Sequence, residues 1–236
     1  MIVGAHASAK TERASRTRWG NKMNNEEMVK YLLDNKYADE RVADAMRKVP
    51  REPFVPKVYA KYAYADQPLP IGFGQTISAP SIVAVMTKYL EVEEGQKILE
   101  VGSGSGWQAA ILAELVGPNG AVFTVERVPE LIEMVTLTLS TFKYKNITLS
   151  PGDGTLGRED KAPFDRIMVT AAAPYVPKPL VDQLGEGGRM IIPVGPMFGQ
   201  MLTLVTRNKE VEYEDLMPPV MFVPLIGKYG YKEGQV

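Results

Sequence analysis

Between residues 97 and 194 the chain alternates two hydrophobic periods. Short apolar runs of strand length cover 97–101, 121–126, 146–150, 164–170 and 189–194. Each breaks into glycine, proline or polar residues. Between them the apolar positions recur at helical spacing. After Gly106 they are Ile111, Leu112 and Leu115, and the pattern stops at Gly117-Pro118. Segments Pro129–Thr141 and Lys178–Leu184 repeat it, the second closed by Gly185 or Gly187-Gly188. Strand and helix in strict turn predict an α/β fold: a mostly parallel, doubly wound sheet with right-handed crossovers and helices on both faces.

Upstream the period is helical throughout. Asn24 or Asn25 caps a first helix, with Glu26 and Glu27 in its first turn and Met28, Tyr31, Leu32 and Asn35 along one side. A second runs from about Asp39 to Lys48, shows Val42, Ala45, Met46 and Val49, and is stopped by Pro50, Pro53 and Pro56. Together they predict an N-terminal helical cover. Residues 57–80 lose all periodicity and read as a long shaped loop. At its end Ser78, before Ala79-Pro80, has the signature of an N-cap for a helix through Leu90. Past the sheet, Gln200–Arg207 and Glu210–Asp215 flank Asn208-Lys209 as a C-terminal β-hairpin, and 218–225 reads as a last strand of unassigned order. Residues 1–22 carry Lys10, Arg13, Arg16, Arg18 and Lys22 against Glu12 alone and few large apolar residues. They read as a mobile basic extension; an anionic-surface contact is the sharper reading. Met23 is a candidate natural start. Residues 23–236 then form one domain.

Composition removes chemistries. The chain has no cysteine, so disulfides, thiolate metal sites and cysteine nucleophiles go together. A single histidine, His6, argues against a Ser-His-Asp triad and a multi-histidine metal site. A net charge of −1 offers no field for nucleic acid or an anionic membrane. No apolar run nears the roughly 20 residues of a membrane helix, and the first residues lack the basic and apolar regions of a signal peptide. The expected setting is cytoplasmic, with no metal, membrane or nucleic-acid partner.

The chemistry centres on 97–107, where an apolar run ends in Glu100-Val101 and breaks into Gly102-Ser103-Gly104-Ser105-Gly106. A dinucleotide loop reads G-x-G-x-x-G; here the spacing is G-x-G-x-G. A carboxylate before the loop repels a pyrophosphate and suits a cationic, hydroxyl-bearing ligand. S-adenosylmethionine has a sulfonium, an ammonium, ribose hydroxyls and no phosphate. An ordinary glycine-rich turn remains the plain alternative. Glu126 ends the next strand, where a carboxylate can accept both ribose hydroxyls; a surface ion pair with Arg127 or Lys97 is the alternative. Asp153, between glycines after the third strand, could accept an adenine amino group or make an Asp-Gly turn. Glu100, Glu126 and Asp153 together describe an acidic rim around the glycine loop.

For the acceptor, Ala171-Ala172-Ala173-Pro174-Tyr175 lacks the Asp or Asn that base N-methylation uses, and attack through a pyrimidine C5 needs a cysteine. A catechol acceptor wants a metal and a base, and neither is evident. A carboxylate acceptor is already ionised at neutral pH and needs only desolvation and alignment. Gln75, Thr76 and Ser78 can supply the donors. Ser78 stands about even between capping and orienting that carboxylate.

These residues resemble the protein-L-isoaspartate O-methyltransferase family. The likeness is carried by Asp66–Gly72, Gly74–Pro80 with its Thr-Ile-Ser-Ala-Pro segment, Leu99–Gly106, Gly152-Asp153-Gly154, Pro163-Phe164-Asp165, Ala171–Pro174, Gly187-Gly188-Arg189, Pro193-Val194-Gly195 and Phe222–Leu225. The resemblance covers about residues 24–230 and implies a Rossmann-like S-adenosylmethionine-dependent methyltransferase. Its substrates would be damaged proteins, methylated on the free α-carboxyl of L-isoaspartyl or the β-carboxyl of D-aspartyl residues. The ester then closes to a succinimide that can reopen to aspartate. By the same resemblance Ser78 carries the active-site hydroxyl. Cofactor contacts fall on Gln75, Thr76, Ile77, Ser78, Glu100, Gly102, Ser103, Gly104, Ser105, Gly106, Glu126, Arg127, Asp153 and Gly154. Ile71, Thr76 and Ser78, with the backbone of Val223, Pro224 and Leu225, face the substrate. Some members present polar cofactor-contacting side chains where this chain has Ile226 and Tyr231. The alternatives are a methyltransferase for a small carboxylic acid or another O-acceptor, and a non-catalytic binding module on the same fold.

Overall fold

The computed structural model describes residues 23–216 and 219–234. The basic extension over 1–22 and its proposed mobility lie outside these residues. The five apolar runs form neighbouring parallel strands: β3 (Lys97–Val101), β4 (Ala121–Glu126), β5 (Ile147–Pro151), β6 (Phe164–Val169) and β7 (Leu184–Val194). Ahead of them lie a small hairpin, β1 (Leu69–Gly72) and β2 (Gln75–Ile77). Behind them β8 (Met201–Arg207) and β9 (Val211–Asp215) extend the sheet antiparallel. The seven-stranded order is β5-β4-β3-β6-β7-β8-β9. The chain winds outward from β3 to β5, then returns to set β6 on the other side of β3. Strand order reverses there, so the crevice above the carboxyl ends of β3 and β6 is where such a sheet holds a ligand.

Alternation along the strands builds the two sides of the core. Ile98, Val122, Met168 and Ile191 pack with Met86 and Leu90 of α3 (Pro80–Leu90) and Leu112 of α4 (Trp107–Val116). Leu99, Val101, Val125, Ile167 and Met190 pack with Leu180 of α6 (Lys178–Asp182) on the opposite face. Side chains buried this completely are worth about 1.5–3 kcal/mol each. The predicted cover is α1 (Asn25–Asp34) and α2 (Glu40–Lys48), whose Met28, Leu32 and Met46 share a core with Trp107 and the hairpin residues Leu69, Ile71 and Ile77. Asn24, not Asn25, caps α1: its side chain accepts from Glu27 N at 2.9 Å while Glu27 Oε2 accepts from Asn24 N at 2.9 Å. The remaining helix, α5 (Pro129–Phe142), carries the crossover from β4 to β5. Among the described residues no helix is long and apolar enough to cross a membrane.

Four local expectations are corrected. Residues 69–77 are not a loop but an antiparallel hairpin, turned at Gly72-Phe73-Gly74, all at positive φ. Ser78 does not cap α3. Ala79 holds that position without a side-chain bond, and Asp66 reaches across fifteen residues to accept from Ser81 N at 2.9 Å. Helix α6 stops at Asp182, and Gly185, Gly187 and Gly188 lie inside the start of β7, where the register with β6 shifts between Phe164 and Arg166. Pro218 of the expected last strand lies outside the described residues, and over 219–225 the only pairings are isolated bridges at Val220 and Pro224. Prolines at 219 and 224 lack the N–H that a ladder needs.

Candidate active site

A cleft of about 410 Å³ opens above β3 and β6. Its floor is Val101, Gly102 and Gly104, and Val125 to Val128 form one side. Thr170 and Ala171 follow β6, and Gly74, Gln75 and Thr76 come from the hairpin. Val223 to Ile226 close the far wall, with Gly154, Met197, Glu233 and Gly234 at the edges. A second cavity of about 50 Å³ shares Thr76, Gly102, Gly104 and Thr170 with the cleft and adds Ile77, Ser78, Ser103, Ser105 and Trp107. The glycines are needed here. Gly102 has φ +92°, and a Cβ on it would sit 2.5 Å from Thr170 Oγ1. Gly104 has φ +53°. Bare backbone thus forms the floor, where a ligand can approach closely.

Most residues singled out in the sequence converge on these two spaces. Gln75, Thr76, Gly102, Gly104, Glu126, Arg127, Gly154, Val223, Pro224 and Leu225 line the cleft; Ile77, Ser78, Ser103 and Ser105 line the smaller cavity. Ser78 is partly exposed, and among the described residues its hydroxyl takes no hydrogen-bond partner. Four expected residues line neither space. Ile71 is a buried core side chain. Gly106 is the turn into α4, at φ +86° against Val135 and Leu139. Asp153 is occupied by Thr155 and Lys228: Oδ1 accepts from Thr155 N at 2.9 Å and from Thr155 Oγ1 at 2.6 Å, and Oδ2 from Lys228 N at 2.8 Å.

Glu100 is the larger correction, and its place one residue inside the strand is the cause. It lies on the same face as Ile98, in register with Thr124 and Met168, one residue short of the strand end. That face is roofed by α3 and α4, so Glu100 is wholly buried. The Thr124 hydroxyl donates to its Oε2 and contacts Ser103 Oγ at 2.6 Å, while Oε1 has no partner. Burial pushes its carboxyl from 4.5 up to about 8; the Thr124 hydrogen bond opposes the rise and the Glu126 charge adds to it. Glu100 is therefore neutral at pH 7. The acidic rim of three reduces to Glu126, whose Oε2 accepts from Gly104 N at 3.0 Å and Oε1 from Arg127 N at 2.8 Å and Val128 N at 3.1 Å. Three backbone donors fix this carboxylate in place at the cleft side.

Sequence reasoning passed over Thr170, Met197 and the chain end. Thr170 had a signal, being the residue that ends the strand beside the switch point. Its hydroxyl meets Val101 O at 3.0 Å and Gly102 O at 2.6 Å, locking the glycine loop to β6. Met197, Glu233 and Gly234 had none, because they arrive from loops remote in sequence. Ile226 lines the cleft, whereas the Tyr231 hydroxyl donates away to Gly195 O at 2.5 Å. Arg127 Nη2 meets Glu233 Oε1 at 2.8 Å across the cleft mouth.

Residues 23–230 match the family described as protein-L-isoaspartate(D-aspartate) O-methyltransferase. The chain is 53% identical over 211 residues to the protein-L-isoaspartate O-methyltransferase of Methanothrix thermoacetophila, covering 89% of this chain and 99% of that one. With the same-named protein of Staphylothermus marinus the identity is 54% over 201 residues, covering 82% and 89%. A solved Plasmodium falciparum chain in complex with S-adenosyl-L-homocysteine matches with TM-score 0.78 at 28% identity, over 86% of this chain and 99% of that chain. Glycine floor, Glu126 and the Thr-Ile-Ser-Ala-Pro segment thus occur together in a chain about half identical to two proteins of that name. This chain belongs to the protein-L-isoaspartate(D-aspartate) O-methyltransferase family.

Proposed function

We propose that this protein, as a single domain in the cytoplasm, transfers a methyl group from S-adenosylmethionine to the free carboxyl of L-isoaspartyl and D-aspartyl residues in damaged polypeptides. The ester then cyclises to a succinimide, which begins repair. One observation carries the reading: the Ser78 hydroxyl, without a partner among the described residues, stands in a cavity that shares four residues with the glycine-floored cleft.

The cleft suits the cofactor chemically. Its volume lies in the usual range for small ligands. Its one lining cation among the described residues, Arg127, is neutralised by Glu233, so nothing there favours a phosphate. Glu126 is the residue to accept ribose hydroxyls, and the Gly102–Gly104 backbone gives the close approach. When bound, S-adenosylmethionine supplies a methyl group on a cationic sulfur. The chain's own work is positioning and exclusion of water. An acceptor carboxylate is ionised at neutral pH, so no residue need remove a proton. Thr76 and Ser78 hydroxyls orient it. Val101, Val125 and Leu225 supply an apolar surround in which those hydrogen bonds count for more. Leu225 N donates to Ala172 O at 2.7 Å and Ala172 N to Val223 O at 2.8 Å, so the wall facing the peptide is fixed in advance.

Methyl transfer to matched isoaspartyl and aspartyl peptides tests this. Transfer to the isoaspartyl peptide alone is expected. Equal transfer to both, or transfer only to a free small carboxylic acid, overturns the substrate assignment. Cofactor binding without transfer to any acceptor would indicate a binding module. Ser78→Ala should lower turnover about 100-fold and leave cofactor affinity unchanged; unaltered turnover removes Ser78 from the role.

A further inference from the structure

Arg51 is fully buried, yet among the described residues no carboxylate touches its guanidinium. Its partners are carbonyls. Nη1 donates to Ala63 O at 2.7 Å and Ala65 O at 3.4 Å. Nη2 donates to Gln67 O at 3.1 Å, Ile77 O at 3.4 Å and Ser78 O at 2.9 Å. On another side the guanidinium carbon lies 5.3 Å from the centre of the Trp107 ring. Trp107 is itself pinned, since its indole N–H donates to Val49 O at 2.9 Å. It is also the first residue of α4, directly after Gly106.

One planar cation therefore touches the chain entering the β1-β2 hairpin, the chain leaving it, and the residue that ends the glycine loop. Core packing does not ask for this. A buried cation costs desolvation, and an apolar side chain of similar size would fill the space. Burial lowers the Arg51 guanidinium to about 9, with the Asp66 charge opposing the drop, so it remains cationic at neutral pH. What it supplies is direction. The carbonyls of Ile77 and Ser78 belong to the two peptide planes on either side of Ser78. Holding both planes sets where the Ser78 side chain points.

We propose that Arg51 is the positioning residue that registers the Ser78 hydroxyl against the glycine loop, by gripping both peptide planes around Ser78 and resting on Trp107. The inference rests on the reading of Ser78 as the group that orients the acceptor. Lysine cannot replace it, because a single ammonium lacks the fork that spans carbonyls on both sides of the hairpin. Misplacing a reacting group by about 1 Å costs on the order of 100-fold in rate.

The test is Arg51→Lys in the full chain, with active sites counted by S-adenosylhomocysteine titration. Expected is a 10- to 100-fold fall in kcat on an isoaspartyl peptide, with peptide KM and cofactor Kd near wild type. An unchanged kcat per titrated site, or an equal loss of cofactor affinity, reduces Arg51 to a purely structural residue and overturns the proposal. Hydrogen exchange on the unmutated protein covers the case in which the variant does not fold. The amides of Ile82 and Val83, bonded to Ala79 O, and of Ala110, bonded to Gly106 O, should slow together when S-adenosylhomocysteine binds. Protection of Ala110 alone overturns the coupling. This readout needs no turnover. If wild-type protein methylates neither peptide but the amides still respond together, the acceptor assignment fails while the Arg51 linkage stands.

Discussion

Replacing Gly102 by alanine should cost about 1.5–3.5 kcal/mol of folding stability, and the structure sets out why. At φ +92° the residue lies where an L side chain is strained, by roughly 1–2 kcal/mol. The new Cβ would stand 2.5 Å from Thr170 Oγ1, inside contact distance, so the threonine must rotate. Rotation forfeits the hydroxyl's bonds to Gly102 O at 2.6 Å and Val101 O at 3.0 Å, worth about 0.5–1.5 kcal/mol. Urea unfolding of four proteins measures this: wild type, Gly102→Ala, Thr170→Ala and the double variant. Thr170→Ala alone should cost about 1 kcal/mol. In the Gly102→Ala background it should cost almost nothing, because the hydroxyl has already been displaced. The coupling is then about 1 kcal/mol. A Gly102→Ala variant within about 0.5 kcal/mol of wild type, or strictly additive changes, would refute the reasoning. Cofactor affinity should fall with stability, since Gly102 also lines the cleft.

Glu126→Gln keeps the shape but turns an amide NH₂ toward one of the backbone donors at Gly104, Arg127 or Val128. Losing a charge-assisted bond of about 1.5–3 kcal/mol should weaken S-adenosylhomocysteine binding about 10- to 100-fold by calorimetry; an unaltered Kd takes Glu126 out of the site. Glu100 predicts a pH dependence. Its native value of about 8 lies above the ordinary 4.5, so the folded protein retains a proton that the unfolded chain has released. That contribution is complete below about pH 4.5, declines through the interval and is gone above about pH 8. Urea midpoints from pH 5 to 9 should therefore fall more steeply for wild type than for Glu100→Gln, which cannot ionise; parallel curves would contradict a neutral buried carboxyl.

The doubly wound sheet was legible because its signal is local. Apolar runs at 97–101, 121–126 and 164–170, parted by helical spacing and glycine, leave few other folds in which every run is buried. The glycine loop was legible for a related reason: positive φ at Gly102, Gly104 and Gly106 is a backbone requirement that a residue type announces. Capping was read less well. Ser78 has the right residue type but lies one position before the cap, and Asp66 takes the Ser81 donor from across the chain.

What the chain order by itself determined is the set of elements, their sequence and the residue types at their ends. Only the tertiary structure decided which end groups share a space and what charge they carry. Glu100 and Glu126 are indistinguishable as strand-end carboxylates in one dimension. Their parity matches as well, but one residue of extra strand puts Glu100 beneath two helices, where burial raises its pKa, and leaves Glu126 at the cleft, where backbone N–H groups fix its position. Arg51 shows the same limit from the other side. Nothing near it in sequence marks it, because its carbonyl partners lie on the chain entering and leaving a hairpin, and they come together only after folding. Patterning records which residues must leave water; packing alone records which of them meet.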